Sequence, residues 1–221
     1  MIKRIFDIIL SVLAILILSP LLIPVMLILK LTGEGYIFFK QERVGLDAES
    51  FNLLKFATMF KESPNMKGGN ITANNDPRIL PFGKFLRKHK INELPQIINV
   101  LFGDMSIIGR RPTVREHFDF YDNVTKNIIS KYKPGLSGVS SIVFKDEEQY
   151  FKGQTPEENK KYYRENIAPF KGELELWYCR NHSIIIDILL IIITISSLLF
   201  PVSNLLNYFF DLPKHRLFNR G

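Results

Sequence analysis

Residues 90–112 contain the side chains of this chain that are best suited to chemistry on phosphate groups. Glu93 follows Asn92, and a carboxylate in the first turn of a helix is stabilised by the helix dipole. Arg87 precedes this pair and Arg111 follows it. A carboxylate flanked by guanidinium groups can bind phosphates together with a metal ion. A capped amphipathic helix with a solvated acid fits the same residue types equally well, so both interpretations stay open at this point.

The same stretch predicts the element that presents Glu93. Asn92 is a favourable N-cap residue, and Pro95 suits a first turn, where a backbone donor is not needed. Gly103 is a residue type that commonly ends helices. Apolar residues recur at helical spacing before it, at Leu94, Ile97, Ile98 and Leu101. We therefore expect one short amphipathic helix that begins at Asn92 and ends at Gly103.

Residues 90–112 resemble the signature of the bacterial sugar transferases, the monotopic phosphoglycosyl transferases. The family pattern is close to Asp-Glu-Leu-Pro-Gln, then Asn-Val-Leu-x-Gly-Asp-Met-Ser, then Gly-Pro-Arg-Pro. Two residues of this chain depart from it. Asn92 stands where the family has its nucleophilic aspartate, and Arg110 stands where it has the first proline.

Further segments are similar to the same family and extend the resemblance over most of the chain. They are the opening Lys3-Arg-x-Phe-Asp, Gln41-Glu-Arg-Val-Gly45, Lys55-Phe-Ala-Thr-Met59, the segment 71–78 and the turn Pro134–Gly138. The third of these carries another departure, because Ala57 stands where the family usually has arginine or lysine. Ser140 to Glu148 replaces a more usual Trp-Ala-Gln continuation.

The apolar run from Ile5 to Leu29 exceeds the roughly 20 residues that suffice to cross a bilayer. Ser19, Pro20 and Pro24 interrupt it, and each proline removes a backbone donor and favours a kink. Both flanks are basic, so the charges indicate no orientation. The residues alone leave a kinked spanning helix and a re-entrant hairpin open. The resemblance favours the re-entrant form, with its break at Ser19 and Pro20.

The resemblance implies an α+β fold, mainly helical, in a monotopic membrane protein. Its expected parts are a re-entrant N-terminal helix-break-helix, a small β-hairpin and interfacial C-terminal helices. The expected domains are a membrane helix at 1–32, a catalytic domain at 33–182 and membrane-associated helices with a tail at 183–221. Ile184–Phe200 is apolar but marginal in length for a span, and the tail mixes aromatic and basic residues.

Local patterns predict several further elements. Tyr36–Phe39 and Phe51–Phe56 read as the two hairpin strands around a turn at residues 45–49. Phe82, Phe85 and Leu86 predict a short helix that delivers Arg87. Residues 113–132 predict one helix with mixed faces. Thr155-Pro-Glu-Glu158 is a capping box that opens a helix expected to end before Pro169.

The resemblance also implies a reaction, the transfer of a phosphosugar from a nucleotide diphosphosugar, UDP being expected, to polyprenyl (undecaprenyl) phosphate. In the family an aspartate attacks the β-phosphate, and the step initiates surface glycan or polysaccharide synthesis. The implied catalytic pair is Glu93 with Asn92, and Mg²⁺ is expected on Glu93 and Asp104. The implied phosphate-binding residues are arginines: Arg87, Arg111, Arg43 and Arg78. The expected place is the cytosolic face of a bacterial inner membrane, as a monomer or a homo- or hetero-oligomer.

Asn92 disturbs this mechanism, since a neutral carboxamide is a very poor nucleophile. Glu93 could attack instead, with the metal held through Asp104. The lipid phosphate could attack directly, without a covalent intermediate. The chain could also be an impaired relative that binds substrate or serves as a scaffold partner. A last alternative is an engineered Asp→Asn substitution that traps the enzyme. The further departures at Ala57 and Arg110 disfavour a single engineered change.

Composition excludes other classes. The chain has 221 residues, enough for one domain with a membrane element, and a net charge of +7, which suits an anionic lipid surface or phosphate-bearing substrates. It has no basic run or zinc-ligand spacing typical of nucleic-acid modules, so nucleic acid is not an expected partner. Cys179 is the only cysteine, which excludes a disulfide within the chain and fits a reducing compartment.

Overall fold

The computed structural model describes residues 2–63, 66, 76–145, 147, 150, 155–199 and 205–213. The helices are α1 (Ile2–Leu31), α2 (Pro81–Lys88), α3 (Gln96–Phe102), α4 (Arg115–Phe118), α5 (Asn123–Ile129), α6 (Val139–Val143), α7 (Pro156–Tyr162), α8 (Ala168–Asn181), α9 (Ile184–Leu199) and α10 (Leu205–Phe209). The strands are β1 (Phe38–Val44), β2 (Ser50–Phe56), β3 (Ser106–Ile108) and β4 (Gly135–Ser137). The prediction of a mainly helical fold with a small sheet is confirmed.

The chain divides into two compact units. The first comprises Met1–Glu42 and Asn52–Gly103, and the second comprises Arg43–Phe51 and Asp104–Gly221. The predicted boundaries at residues 32 and 182 follow the membrane segments rather than these units, and they stay a prediction. The main hydrophobic core lies in the second unit, around Phe144, Leu174 and Tyr178.

Helix α1 runs from Ile2 to Leu31 with Pro20 and Pro24 inside it, so the helix does not end at the predicted break at Ser19 and Pro20, although each proline removes one backbone donor. Among the described residues, α1 is the one helix long and apolar enough to cross a membrane. Its re-entrant course stays a prediction.

Both halves of α1 pack against the first unit. Near its N-terminus, Arg4 donates hydrogen bonds to the backbone oxygens of Val100 (2.6 Å) and Leu101 (2.7 Å), in the last turn of α3. The C-terminal half buries Val25 and Leu29 in a cluster completed by Phe56 of β2 and Leu86 of α2. The helix therefore presents one stripe to the unit and leaves its other, apolar side exposed.

The predicted hairpin is present, but its first strand is Phe38–Val44 rather than Tyr36–Phe39. Strands β1 and β2 pair in a two-stranded sheet joined by a 3₁₀ turn at Leu46–Ala48. Asn99 of α3 secures β2, because its side chain accepts a hydrogen bond from the Leu54 N–H (2.9 Å) and donates one to the Asn52 oxygen (2.8 Å). The helix at 81–88, the stop at Gly103 (φ 97°) and the capping box at Thr155 are also confirmed.

Three elements differ from the prediction. Residues 113–132 form two short helices rather than one, because Asp122 accepts the Thr125 N–H (2.9 Å) and so starts α5 anew. The helical course of α7 continues past Pro169 through a π-helical turn into α8. A parallel pair, β3 with β4, was not predicted. Its register places Ser106 opposite Gly135.

Close backbone approach explains the glycines of this parallel pair. A Cβ on Gly135 would lie 2.1 Å from the backbone nitrogen of Gly109, closer than atoms of a folded chain can come. The turn 134–138 therefore packs its backbone directly against Gly109, within the second unit, and this contact positions the Gly109–Pro112 turn.

Most of the apolar run at 184–200, its residues Ile184–Leu199, forms α9, a helix with two apolar faces. One face is buried, with Leu190 and Ile193 in the core, and the buried Asp187 carboxylate accepts a hydrogen bond from the Tyr178 hydroxyl (2.7 Å). The other face is exposed and consists of isoleucines at helical spacing: Ile185, Ile188, Ile192 and Ile195. Most of the 62–76 loop, Asp146, Glu148 and the basic tail residues 214–216 lie outside the described residues.

Arg110 fills the position of the expected proline and is fully buried. Its guanidinium donates hydrogen bonds to the backbone oxygens of Tyr132 (3.1 Å), Val44 (3.1 Å) and Gly45 (2.6 Å). It also lies over the Phe118 ring, 5.8 Å from its centre. This side chain therefore joins three segments that are distant in sequence.

We expect Arg110→Met to destabilise the protein by about 3–5 kcal/mol, because three buried carbonyl groups lose their donor. The measurement is denaturant unfolding of the detergent-solubilised protein. The control is Arg115→Met, since Arg115 is exposed and donates to the Ala48 oxygen from the surface. Its loss should stay below about 1 kcal/mol. Equal losses in the two variants would contradict the role given to Arg110.

Candidate functional site

The Asn92–Glu93 pair lies in a tight turn between α2 and α3 in the first unit. Lys90 adopts a left-handed conformation (φ 56°), and Ile91–Glu93 form a single 3₁₀ turn. Helix α3 begins only at Gln96, with Pro95 at its N-cap position. The prediction that Asn92 is the N-cap is therefore wrong. Ile91 packs against the cluster around Leu86, and this burial draws the turn into the unit ahead of the helix.

Asn92 is buried, with only 8% of its surface exposed. Its side-chain oxygen Oδ1 is buried and has no hydrogen-bond partner within the described part of the chain. A buried carbonyl group without a donor costs about 1–3 kcal/mol, so folding alone gives no reason for this placement. The position is a candidate for a functional role or for contact with a group that binds later.

Glu93 faces outward from the same turn. Its side chain is 42% exposed, and the Lys55 ammonium lies 3.7 Å from its carboxylate oxygen. Lys55 comes from β2, so the hairpin supplies a cation to the turn. A partly exposed carboxylate next to a cation can contact a phosphate-bearing ligand.

Arg87 is held close to this turn by the last turn of α2. Its Nε donates a hydrogen bond to the Thr58 hydroxyl (2.9 Å), and Thr58 is itself buried just after β2. The negative charge of Asp76 is partly balanced by Arg87, which contributes to lowering the pKa of Asp76. The first unit thus positions Asn92, Glu93 and Arg87 on neighbouring elements.

Arg78 has a different setting. It is buried, and its guanidinium pairs with the buried Asp76 carboxylate, with Nη2 2.6 Å from Oδ2. Hydrogen bonds from Arg78 are the main cause of the lowered pKa of Asp76. Such a pair is typical of a structural ion pair, so phosphate binding by Arg78 stays a prediction to which this geometry adds no support.

Arg43 and Arg111 belong to the second unit. The Arg111 N–H donates to the buried carboxylate of Glu175 (2.9 Å), which also accepts a hydrogen bond from the Ser140 hydroxyl. The Arg111 guanidinium donates to the Ser141 hydroxyl (3.3 Å). Arg43 donates to the Pro112 oxygen (3.3 Å), so both arginines lie at the Gly109–Pro112 turn.

A buried polar cluster adjoins this turn in the second unit. The Lys171 ammonium is 2.7 Å from the Glu147 carboxylate and lies 4.9 Å from the ring centres of Phe144 and Tyr163. Burial lowers the pKa of Lys171 to about 8, with Glu147 opposing that shift. His117 stacks on Tyr163 at a ring distance of 4.2 Å.

The predicted site residues therefore fall in two groups. Asn92, Glu93 and Arg87 lie on neighbouring elements of the first unit, whereas Arg43 and Arg111 both lie at the Gly109–Pro112 turn of the second unit. Asp104 is an exposed residue of the second unit. Sequence reasoning missed Lys55, Thr58, Glu175 and Ser141. The sequence carried a signal for Lys55. It lies two residues before Ala57, where a cation is expected from the family pattern, and residues two apart lie on the same face of an extended strand.

Of the two predicted Mg²⁺ ligands, Glu93 lies in the first unit and Asp104 in the second. Among the described residues there is no group of three or more His, Cys, Asp or Glu side chains that could hold a metal ion. Mg²⁺ in phosphate-transfer sites commonly takes one or two carboxylates and completes its shell with water and substrate phosphates. The exposed carboxylate of Glu93 is compatible with that mode of binding.

Residues 1–201 match the sequence profile of the family described as bacterial sugar transferase. Among curated proteins, the chain is 33% identical over 196 residues to the UDP-glucose:undecaprenyl-phosphate glucose-1-phosphate transferase of Xanthomonas campestris pv. campestris, covering 87% of this chain and 37% of the relative. It is also 33% identical over 200 residues to the UDP-N-acetylgalactosamine-undecaprenyl-phosphate N-acetylgalactosaminephosphotransferase of Aeromonas hydrophila, covering 90% and 44%.

A third relative is similar in length. The exopolysaccharide production protein PSS of Rhizobium leguminosarum bv. phaseoli is 33% identical over 200 residues, which cover 88% of this chain and 94% of the relative. The two transferases are longer proteins, and the chain spans less than half of their length.

The His117 stack predicts a pH-dependent stability. Burial, helped by the nearby Lys171 charge, lowers the pKa of His117 to about 4, whereas an unfolded histidine titrates near 6.5. Between these values the unfolded chain binds a proton that the folded chain does not. Stability is therefore lost as the pH falls from about 6.5 to about 4, by up to about 3 kcal/mol.

Denaturant unfolding of the detergent-solubilised protein at pH 7.5, 6 and 4.5 tests this. His117→Phe keeps an aromatic ring on Tyr163 and removes the titration, so the variant should lose less stability than the wild type over this range. Parallel pH profiles of the two proteins would show that His117 does not titrate in this way.

Proposed function

The chain belongs to the bacterial sugar transferase family, and from this premise we propose that it transfers a phosphosugar from a nucleotide diphosphosugar to polyprenyl phosphate. The printed activities of its relatives support UDP as the nucleotide and undecaprenyl phosphate as the acceptor. Exopolysaccharide production by a relative of matching length supports the initiation of a surface polysaccharide as the purpose of the step.

The observation that carries the proposal is the exposed Glu93 carboxylate on a turn with cations nearby. Lys55 lies 3.7 Å from it, and Arg87 is held by Thr58 on the adjoining helix. Phosphoryl transfer concentrates negative charge on the transferring group, and positioned cations stabilise that charge. Glu93 would hold Mg²⁺, which supplies further positive charge to the substrate phosphates when bound.

Asn92 restricts how the transfer proceeds. Its side chain is a neutral amide with a buried oxygen, so it is not the nucleophile. In one route Glu93 does not hold the metal: a Glu93 oxygen attacks the β-phosphorus, the bond from that phosphorus to the bridging oxygen breaks, and UMP leaves. Polyprenyl phosphate then displaces the carboxylate. In the other route a polyprenyl phosphate oxygen attacks the β-phosphorus directly, and UMP leaves in a single step.

A second function is favoured by Asn92 itself. Substrate binding without turnover needs the cations and Glu93 but no nucleophile, and the substitution leaves the turn folded. The chain would then act as a membrane-bound binding or scaffold partner of an active transferase.

A transfer assay separates these functions. We expect nanodisc-held wild-type protein with Mg²⁺ and polyprenyl phosphate to release UMP from one of a panel of UDP-sugars. Glu93→Gln should lower the rate by about 10²-fold or more, because the exposed carboxylate is lost. Glu157→Gln is the matched control, since Glu157 is an exposed residue of α7 and should leave the rate unchanged.

The outcomes distinguish the routes as well. One UMP released per enzyme without polyprenyl phosphate indicates attack by Glu93, whereas release only with the acceptor indicates direct attack. A silent wild type with an active Asn92→Asp variant would overturn the proposed activity. UDP-sugar binding by that silent wild type would support the binding function.

We further propose that α1 is re-entrant. It enters the cytosolic leaflet of the inner membrane and returns, so both of its ends lie on the cytosolic side. A helix that crosses a bilayer brings only one end to a domain on one side. Here the N-terminal half contacts α3 and the C-terminal half contacts β2 and α2, all within the same compact unit. The exposed isoleucine face of α9 supports an interfacial position for the C-terminal helices.

Cysteine labelling tests the course of α1. In a Cys179→Ser background, Ile2→Cys and Leu31→Cys place thiols at the two ends of the helix, where both native side chains are largely exposed. We expect a membrane-impermeant maleimide to label both thiols in inside-out vesicles and neither in intact spheroplasts. Labelling of one position in each preparation would show that α1 spans the membrane.

A further inference from the structure

Helix α8 carries charged side chains on its buried face, where apolar residues are the norm. Lys171 and Glu175 lie one turn apart on that face, and each is 2% exposed. The Lys171 ammonium binds both oxygens of the Glu147 carboxylate, at 2.8 and 2.7 Å. A buried ion pair adds little stability compared with apolar residues of the same size. Folding alone therefore does not explain the pair of Lys171 with Glu147.

Lys171 fixes the orientation of Glu147 and leaves part of it accessible. The ammonium is buried against the rings of Phe144 and Tyr163, whereas 19% of the Glu147 side chain is exposed. Each carboxylate oxygen has two lone pairs, so both oxygens can accept a further hydrogen bond. Glu147 is thus an oriented acceptor whose charge is already balanced, which suits neutral hydroxyl or amide N–H donors.

Arg111 lies next to this acceptor. Its guanidinium donates to the hydroxyl of Ser141 in α6, and the Glu147 N–H donates to the Phe144 oxygen just after that helix (3.2 Å). Burial is the main cause of the lowered pKa of Lys171, and the charge of Arg111 lowers that pKa further. The second unit therefore groups a guanidinium, the partly exposed Ser141 hydroxyl and an oriented carboxylate.

The sequence of this segment departs from the family pattern, because Ser140 to Glu148 stands where a Trp-Ala-Gln continuation is usual. Family members differ in the sugar that they transfer, since one relative is named for glucose and another for N-acetylgalactosamine. The sugar is bonded directly to the transferred phosphate. A side chain that touches an arginine binding this phosphate is therefore within reach of the sugar.

We propose that Ser141 and Glu147 bind the transferred sugar and select a hexose or hexosamine with hydroxyl or amide N–H donors at the positions that they face. The inference rests on the proposed transferase function, and within it on phosphate binding by Arg111. Glu147 accepts hydrogen bonds from the sugar, and the Ser141 hydroxyl binds a further polar group of it. A sugar without a donor at such a position leaves the carboxylate desolvated and unpaired, so it binds more weakly.

Calorimetric titration of nanodisc-held protein tests the proposal. The probes are UDP-glucose, UDP-N-acetylgalactosamine and UDP, which lacks the sugar but keeps the nucleotide and both phosphates. We expect Glu147→Gln, which turns one acceptor into a donor, to weaken the tighter-binding UDP-sugar by about tenfold, as for one lost hydrogen bond to a charged group. Binding of UDP should be unchanged.

Two further variants accompany Glu147→Gln. Ser141→Ala removes the hydroxyl without touching the buried ion pair, and it should weaken the same UDP-sugar by about threefold to tenfold. It tests the subsite even where Glu147→Gln fails to fold. Glu173→Gln is the matched control, since Glu173 is an exposed residue of α8, and it should bind every probe like the wild type.

Deoxyfluoro analogues of the tighter-binding UDP-sugar identify the contact, because fluorine in place of a hydroxyl removes the donor. We expect one analogue to lose about tenfold in affinity for the wild type and to lose nothing further with Glu147→Gln, since both changes remove the same hydrogen bond. Additive losses at every ring position would contradict a direct contact between Glu147 and the sugar.

Other results would also overturn the inference. Equal weakening of UDP and the UDP-sugar in Glu147→Gln and Ser141→Ala would indicate a contact with the nucleotide or a structural defect. Unchanged UDP-sugar binding in both variants would place the sugar elsewhere. In these cases the wild type still binds the UDP-sugar, so the proposed function stands. A wild type that binds neither UDP nor a UDP-sugar would overturn the proposed function and this inference with it.

Discussion

The contact between Arg4 and the C-terminal end of α3 is the interaction on which the first unit depends. The last carbonyl groups of a helix have no partner within it, and a cation placed there both binds them and complements the helix dipole. Arg4 does this for Val100 and Leu101 from the first turn of α1. One side chain thereby couples the apolar segment to the helix that follows the Asn92–Glu93 turn.

The departures from the family pattern have different physical consequences. Arg110 replaces a proline and brings donors for three backbone oxygens, so the substitution is built into the packing. Ala57 is buried and carries no charge. A cation nevertheless lies near Glu93, because Lys55 of β2 pairs with its carboxylate. Asn92 gains no hydrogen bond for its buried oxygen from any residue that the structure describes. Within the described residues, only this last departure is left without a structural compensation.

Elements governed by neighbouring residues were predictable. The capping box at Thr155, the stop at Gly103 and the hairpin around Leu46–Ala48 each depend on a few residues with local preferences, and all are present. The β3–β4 pair was not predictable, since each strand has three residues and the pairing joins positions far apart in the chain. The split of residues 113–132 into two helices was readable only from Asp122, a single capping residue.

The sequence by itself determined the family, the apolar N-terminal helix and the residue types of the candidate site, because these follow from motif spacing and hydrophobic patterning. Tertiary structure alone decided what each side chain does. Helix α3 starts at Gln96 rather than Asn92, after a 3₁₀ turn whose Ile91 packs against the cluster around Leu86, and Arg78 is buried in a pair with Asp76. Lys55 reached Glu93, and Glu175 held Arg111, through contacts between residues tens of positions apart. Such contacts depend on how elements pack against one another, which local sequence patterns do not predict.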